Sequence, residues 1–409
     1  TASNNTAVGK EALGANTTGS ENTAVGQNAL DANTTGQGNT CMGQSSLSAN
    51  TTGGTNVAIG VDALNANTTA SNNIAVGKSA LAANTTGANN TAVGKAALYT
   101  NTGSGDNTAI GFQALYTSAG ARNTALGHNA LFNNTTADNN VAVGKDALEA
   151  NTTGDGNTAV GTYALDANTT AANQTAVGYN SLTAATGGNN TAVGRQSLQA
   201  VTTGTNNVAM GFVSGSAVTT GGYNVLMGRS AGESIQSGSD NICVGRTADC
   251  AHDSGNSITM GVGITGQGDN FKFGKASNVV SNQFTSDANW ARSSDERIKQ
   301  DIKEDTLGLN FINDLKTITY RWKPSNEIPE EFNDYNEENQ KDTEVVMHGM
   351  LAQEVKAALD TAGVDTFAGW SENDDGMQNI SREMFVIPLI KAIQELSAEV
   401  EQLKQKAHD

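Results

Sequence analysis

Hydrophobic and polar positions repeat about every 17 residues from residue 4 to residue 262. Each repeat has a β-branched residue, a small residue and a large aliphatic residue before a glycine, as in Thr6-Ala7-Val8-Gly9. Residues two apart share one face of a strand, so the small residue faces the other way. The glycine permits a positive φ or a tight corner where the strand ends. The spacing is 17 residues except for three steps of 16, and the sixteen glycines are Gly9, Gly26, Gly43, Gly60, Gly77, Gly94, Gly111, Gly127, Gly144, Gly161, Gly178, Gly194, Gly211, Gly228, Gly245 and Gly261.

A second apolar position follows each corner. Leu occupies it in the first twelve repeats, from Leu13 to Leu198, and an Asn-Thr-Thr-Gly-like turn comes next. From Gly211 onward the Leu column fails, as expected near the end of an array. The pattern predicts a strand, a corner, a second short strand and a turn, which together form one rung of a parallel β-solenoid. Such regular columns disfavour a disordered low-complexity chain.

Each rung carries only about four apolar side chains, so the core is expected to be thin and a homotrimer is expected to supply further burial. The repeats resemble the head repeats of trimeric bacterial adhesins, with Asn5-Thr6-Ala7-Val8-Gly9 and its copies carrying the match over about residues 4–262. The resemblance implies a left-handed parallel β-roll in a trimer. These repeats are longer than those of the adhesins, which leaves the handedness open.

The turns allow two other interpretations. Asn-Thr-Thr matches the N-glycosylation acceptor pattern, and regularly spaced Thr could order water as in ice-binding solenoids. Turn chemistry explains both patterns, so neither function is expected. Residues 263–293, which include Phe271-Lys272-Phe273-Gly274, are expected to form a stem with short strands.

Composition narrows the classes of function. The net charge is −18, with −6 over residues 1–290 and −12 over residues 291–409. An acidic chain without a basic stripe disfavours a nucleic-acid partner. No apolar run is long enough to span a bilayer, so no membrane insertion is expected, and neither a metal nor a cofactor is expected. Cys41 and Cys243 occupy the small-residue slot as buried thiols, and the three cysteines leave the redox compartment undecided. The start in mid-repeat suggests a piece of a longer protein.

The last 117 residues follow a different, mixed pattern. Residues 315–322 predict a strand, residues 327–344 an acidic loop, and residues 348–355 a further block. Val386, Leu389, Ile393, Leu396, Val400 and Leu403 then follow at spacings of 3, 4, 3, 4 and 3, which we call the apolar seam. This spacing predicts a parallel trimeric coiled coil within residues 382–408. A single amphipathic helix packed on its own domain fits the same pattern.

The junction between the two patterns contains Ser294 and Lys299. Taken alone, Ser294 followed by Asp295 and Glu296 is typical of a helix N-cap. The pair also suits nucleophilic catalysis, because a Lys amine whose pKa is lowered by burial can take the proton of a Ser hydroxyl. Ser294 would then attack the carbonyl of Ser293. His348 is expected to be structural and not a base.

The junction and the later blocks resemble the intramolecular chaperone domain of phage endosialidases, tail spikes and tail fibres, a self-cleaving serine peptidase family. The resemblance covers residues 293–409 and its blocks occur in the family's order. It implies that Ser294 is the nucleophile, that Lys299 is the catalytic lysine and that the scissile bond joins Ser293 to Ser294. It also implies an α+β domain over residues 294–409.

The sequence therefore predicts a mostly β, homotrimeric tail fibre or tail spike with a repetitive shaft. Its C-terminal domain would align three chains and then remove itself by acting once, as an autocatalytic serine endopeptidase. The protein would be made in the host cytoplasm, lie in the virion tail, and contact a glycan or protein receptor on the host surface. The alternative is a bacterial cell-surface adhesin that uses the same modules. A glycan-degrading enzyme is disfavoured because the acidic residues of the array are scattered.

Overall fold

A computed structural model describes residues 2–276, 278–283, 295–332, 335–339 and 343–408. The chain divides into two compact units, Thr1–Ser293 and Ser294–Asp409. The first unit consists of strands and turns in its described part, and the second contains short strands and helices.

The sixteen repeats each contribute one strand to the first unit. Fifteen of these are β1 to β15: Thr6–Val8, Thr23–Val25, Thr40–Met42, Val57–Ile59, Ile74–Val76, Thr91–Val93, Thr108–Ile110, Thr124–Leu126, Val141–Val143, Thr158–Val160, Thr175–Val177, Thr191–Val193, Val208–Met210, Val225–Met227 and Ile242–Val244. The remaining strands of the unit are β16 to β20: Asp249–Cys250, Ile258–Val262 (the sixteenth repeat), Thr265–Gly266, Asn270–Lys275 and Asn278–Gln283.

Successive repeats stack in parallel and in register, so that Thr6 lies beside Thr23 and Val8 beside Val25. The stack continues through β17 to β19, where β20 pairs antiparallel and ends it. A separate two-stranded sheet joins β16 to β18. The predicted parallel solenoid of about sixteen turns is confirmed, and the Thr, Val and Leu columns form ladders along it.

The inward face of each rung is small. The middle strand residue and the Leu that follows the corner are both 0% exposed, as Ala24 and Leu30 illustrate. The first and third strand residues face outward and stay half-buried or exposed. The thin core predicted from the repeat thus consists mainly of an Ala column and a Leu column.

The prediction of a second strand around the Leu is wrong for the first fourteen repeats, where this segment is a turn. All twelve Leu residues have left-handed φ values between +49° and +55°. This conformation costs an L-residue about 1–2 kcal/mol, and burial of a Leu side chain returns about 1.5–3 kcal/mol. The conformation persists because it points the side chain into the core.

The repeated glycine meets a steric limit. Gly94 has a φ of +134°, and a Cβ built on it would lie 2.3 Å from the carbonyl oxygen of Gly111 in the next rung. Neither the dihedral angle nor the space admits a side chain, which explains why glycine recurs in every repeat.

Two buried asparagine ladders connect the rungs. In the first, the backbone N–H of Asn39 donates to Asn22 Oδ1 at 2.9 Å, and Asn39 Nδ2 donates to the Gly53 carbonyl at 2.9 Å. In the second, Asn50 Nδ2 donates to Asn33 Oδ1 and to the same Gly53 carbonyl, both at 2.9 Å. Each amide therefore satisfies backbone groups that the interior would otherwise leave without partners. Asn33 and Asn50 belong to Asn-Thr-Thr triplets, so these acceptor amides are buried and already bonded.

The thirteenth and fourteenth repeats rearrange the core. Gly215 and Gly232 replace Leu at the left-handed position, while Leu226 replaces Ala in the strand of the fourteenth repeat. A Cβ on Gly215 would lie 2.6 Å from Leu226 Cδ1, and one on Gly232 would lie 2.5 Å from Leu226 Cδ2. Leu226, with the buried Val218 and Ile235 beside it, thus fills the space of the two missing Leu side chains, and both left-handed positions become glycine.

The second unit contains four strands and three α-helices in its described part. In chain order these are α1 Leu309–Asp314, β21 Ile318–Tyr320, β22 Met347–Gly349, α2 Ala352–Ala362, β23 Trp370–Glu372, β24 Gln378–Ile380 and α3 Val386–His408. The strands form two antiparallel pairs, β21 with β22 and β23 with β24. The core consists of Leu307, Phe311, Val355, Ala358, Leu359 and Phe385. The α+β character predicted for this domain is confirmed.

In the fourteenth repeat the core Leu lies at position 226 instead of position 232, and this change of position allows a quantitative prediction. Leu226→Ala leaves a cavity and should destabilise the solenoid by about 2–5 kcal/mol, and Gly232→Leu alone should overpack the core at a cost of about 1–3 kcal/mol. The double variant restores the arrangement of Ala24 and Leu30 and should recover most of the loss. The measurement is the urea midpoint of the full chain. As a control, Leu165→Ala combined with Gly232→Leu should be additive, because the two sites lie in different repeats. If the effects of Leu226→Ala and Gly232→Leu also simply add, Leu226 does not compensate for the missing Leu at Gly232.

Candidate functional site

The junction segment begins the second unit. Ser293 and Ser294, the predicted scissile bond and nucleophile, lie outside the described residues. The first described residue, Asp295, caps a 3-10 turn over Glu296–Ile298 and accepts a hydrogen bond from the Arg297 backbone N–H at 2.9 Å. The Arg297 guanidinium also pairs with both carboxylate oxygens of Asp295, and these bonds lower the pKa of Asp295 to about 2. Asp295 therefore performs the capping that the sequence suggested for Ser294.

Lys299 directly follows this turn, and its backbone N–H donates to the Glu296 carbonyl. Its side chain is exposed. A lysine that acts as a base needs burial to favour its neutral form, and the described part of the second unit does not supply it. Ile298 and Ile302 flank the lysine and are 67% and 62% exposed, which is unusual for large apolar side chains.

The segment after Lys299 is fixed to the C-terminal helix. Glu395 on α3 accepts a hydrogen bond from the Leu309 backbone N–H at 2.7 Å, at the first turn of α1. Lys391 on α3 lies 3.7 Å from the Glu304 carboxylate. Phe311 stacks on Phe385, immediately before α3, with ring centroids 6.3 Å apart. A change in the position of α3 would therefore act on the chain close to Lys299.

The apolar seam is not the face by which α3 contacts its own domain. Pro388 and Ala392 are the buried residues of the helix, whereas the seam residues are between 41% and 65% exposed: Val386, Leu389, Ile393, Leu396, Val400 and Leu403. The alternative in which a single helix packs its seam on its own domain is therefore not what the structure shows. Pro388 lies in the first turn of α3, where proline is tolerated.

His348 lies in β22 opposite Thr319 of β21, and its side chain is exposed. Among the described residues, no group of three or more His, Cys, Asp or Glu side chains is placed to hold a metal ion. No helix in this part of the chain has the length and apolar character needed to cross a bilayer.

The outward face of the solenoid carries a continuous apolar column, which we call the outer stripe. It consists of the third strand residue of each repeat, and every member is Val, Ile, Leu or Met. Many members are more than a third exposed: Val8, Met42, Ile59, Ile110, Leu126, Met210, Met227 and Met260. Monomeric soluble proteins rarely expose large contiguous apolar patches, so this column is a candidate surface for association.

Sequence reasoning missed a second surface column. One residue in each of eleven consecutive repeats, at or next to the position after the glycine, is basic or aromatic: Lys78, Lys95, Phe112, His128, Lys145, Tyr163, Tyr179, Arg195, Phe212, Arg229 and Arg246. We call this set the cation–aromatic column. Lys145 Nζ lies 4.8 Å from the Tyr163 ring centroid, and Arg195 lies 5.5 Å from that of Phe212. The signal was present in the repeat alignment, one column beyond the glycine.

Comparison with known proteins identifies the second unit. Residues 294–364 match the family model described as the chaperone of endosialidase, and the match begins at the predicted nucleophile. None of the curated proteins and none of the solved structures compared with the chain is detectably similar to it. The chaperone domain and the sixteen-turn solenoid together fit a tail-fibre-like protein with a C-terminal chaperone.

Proposed function

We propose that this chain is the shaft of a homotrimeric phage tail fibre or spike, and that its C-terminal domain drives trimerisation and then removes itself between Ser293 and Ser294. The exposed seam of α3 is the observation that carries the proposal. The protein would be made in the host cytoplasm and lie in the virion tail. A cell-surface adhesin with the same chaperone remains the alternative.

Two exposed apolar surfaces favour association of three copies. The seam has the heptad spacing of a parallel coiled coil, and it is exposed along the helix from Val386 to Leu403. The outer stripe offers each chain a second apolar surface. Association at the seam would bring three chains into register first, and the stripes would then pack rung by rung. This order reduces the cost of nonlocal pairing during assembly.

Cleavage would proceed as an acyl shift followed by hydrolysis. The neutral Lys299 amine takes the hydroxyl proton of Ser294, and Oγ attacks the carbonyl carbon of Ser293. Collapse of the tetrahedral adduct breaks the C–N bond, and the proton passes to the Ser294 nitrogen, which leaves as an amine. Water then hydrolyses the ester between Ser293 and Ser294. The products are a new carboxylate at Ser293 and a chaperone that begins at Ser294.

Trimerisation would switch this reaction on. Lys299 is exposed in the single chain and is flanked by the exposed Ile298 and Ile302. Neighbouring chains that cover these isoleucines would also desolvate the lysine, and burial lowers a lysine pKa. The bonds from Glu395 and Lys391 to the segment at residues 304–309 connect this region to α3. Cleavage would therefore follow assembly instead of preceding it.

The cleavage proposal predicts that the wild-type chain releases a fragment with Ser294 at its N-terminus, detected by denaturing gels and intact mass. Ser294→Ala and Lys299→Ala should both abolish release. Lys299→Arg is the matched control, because arginine keeps the charge but does not deprotonate. It should also block release if Lys299 is the base. If Lys299→Arg still releases the fragment, the lysine acts only through its charge. If the wild-type chain forms a trimer and stays intact, the cleavage proposal is wrong.

The trimer proposal predicts that Ile393→Asp with Leu396→Asp yields monomers, because charges in a coiled-coil seam oppose association. Sedimentation analysis of the full chain measures the change. The matched control is Gln394→Asp with Ser397→Asp, which adds the same charges to exposed positions of the same helix turns. That control should remain trimeric. A trimeric seam variant would show that the seam does not hold the chains together.

We further propose that the receptor is an acidic glycan, bound along the cation–aromatic column. The column places positive charges on a shaft whose first 290 residues have a net charge of −6. Aromatic faces suit the apolar faces of sugar rings, and the cations suit carboxylate groups. The one-residue-per-rung spacing suits an extended polymer.

Affinity electrophoresis through polygalacturonate tests this surface, with neutral dextran as the reference. The wild-type protein should be retarded only by polygalacturonate, and less so at high salt. Arg195→Ala with Phe212→Ala should weaken retention about tenfold, since these contacts contribute about 1–2 kcal/mol. Arg122→Ala removes an exposed cation outside the column and should have little effect. Equal losses in the two variants, or equal retardation by dextran, would contradict the assignment.

A further inference from the structure

Two of the three cysteines lie side by side in the core of the fifteenth repeat. Cys243 is the inward-facing middle residue of β15, and Cys250 is the last residue of β16. Both are 0% exposed. Their sulfur atoms lie 2.8 Å apart, compared with about 2.05 Å in a disulfide bond. Cys41 has the same strand position as Cys243 in the third repeat, but its repeat contains no second cysteine.

The cysteine pair lies in a repeat that lacks the regular Ala and Leu core. In a regular rung, the inward Ala of the strand and the inward Leu of the turn meet, as Ala24 and Leu30 do. In the fifteenth repeat the Leu is absent, and β16 pairs with β18 in a separate two-stranded sheet. Cys243 belongs to the 18-stranded sheet, because β15 pairs with β14 and β17. The two sulfur atoms therefore lie between the main sheet and the small one.

We propose that Cys243 and Cys250 form an intramolecular disulfide that joins these two sheets at the C-terminal end of the solenoid. The oxidant is a small-molecule disulfide of the glutathione class. This inference is independent of trimerisation, cleavage and receptor binding.

The surroundings shift the pKa values of the two thiols in opposite directions. Hydrogen bonds from Cys243, Ser257 and Thr259 lower the pKa of Cys250, whereas the bond to Cys250 and burial raise that of Cys243. In one order of exchange, Cys250 is the attacking thiolate and Cys243 the resolving thiol, and the opposite order gives the same disulfide. The Cys250 thiolate attacks the reagent disulfide and expels one thiolate, which takes the proton of Cys243. Cys243 then attacks Cys250 Sγ and expels the second thiolate. Two protein thiols are oxidised, and one reagent disulfide is reduced to two thiols.

Burial determines when this exchange can happen. Both sulfur atoms are enclosed once the rungs are stacked, so the reagent must reach them during folding or during local opening of the last rungs. A reducing cytoplasm keeps such thiols reduced, so the bond forms after the protein has left the cytoplasm, when the last rungs open locally in an oxidising medium. Once formed, the disulfide is reached by reductants only when the same rungs open locally.

The test compares the full chain expressed in a reducing bacterial cytoplasm with the same chain expressed in an oxidising compartment. Thiol exchange is first quenched with acid. Free thiols are then alkylated in denaturant near neutral pH, and the peptides are mapped by mass spectrometry. In the oxidised sample we expect a peptide pair linked through Cys243 and Cys250, with Cys41 fully alkylated. Cys250→Ser should leave no intramolecular link, and Cys41→Ser should leave the link intact. Three alkylated cysteines in the oxidised wild type would overturn the proposal, as would a link through Cys41.

A second readout guards against misfolded variants. Reduction by a phosphine should lower the melting midpoint of the oxidised wild-type protein, because the cross-link restricts the unfolded chain. A Cys243→Ala, Cys250→Ala double variant should melt at the same midpoint with and without the phosphine. If the phosphine leaves the oxidised wild type unchanged and no linked peptide is found, the pair is a packed dithiol and the proposal fails.

Discussion

The structure of the shaft depends on the repetition of one hydrogen-bonding unit at the spacing of the rungs. Its interior is so thin that backbone N–H and C=O groups lie within it, and asparagine side chains form hydrogen bonds with these groups. Asn22 accepts a hydrogen bond from the backbone N–H of Asn39 in the next rung, and Asn39 accepts the same bond from Asn56 one rung later. Each ladder needs a side-chain amide at the same height in the neighbouring rung, and Gln174 supplies one in place of Asn, accepting from the Asn190 backbone N–H at 2.9 Å. Where the turn ladder meets Ser118, Asn101 Oδ1 has no partner among the described residues.

The sequence predicted the solenoid because each sequence repeat corresponds to one rung of the stack. Sixteen glycines and twelve leucines at fixed offsets admit few other folds. It did not predict the left-handed turn at Leu30, because a propensity argument assigns an Ala-Leu segment to regular structure and cannot weigh burial against a positive φ. Nor did it show that the strand's Val column faces outward. Which strand face points inward depends on the face that the Leu of the turn packs against, and this contact is not visible in the linear pattern of residues.

The C-terminal domain was predictable for a different reason. Its blocks carry a family pattern, and the match from residue 294 to residue 364 begins at the expected junction. The chemistry of the junction was less predictable. Lys299 had to be buried for the role assigned to it, yet it is exposed in a single chain. In the trimer that we propose, neighbouring chains would bury the lysine, and a single chain indicates this only by exposed apolar residues such as Ile298 and Ile302.

The relocated leucine has a consequence for how such a shaft can change its length. The first twelve repeats share the Leu column of the core, so unequal recombination within them would add or delete whole rungs and keep that column continuous. The thirteenth and fourteenth repeats are not interchangeable in this way. A crossover that separated Gly215 or Gly232 from Leu226 would leave an empty core in one product. Length variation among related fibres should therefore be confined to the region before residue 200, with the end nearest the chaperone inherited as a block.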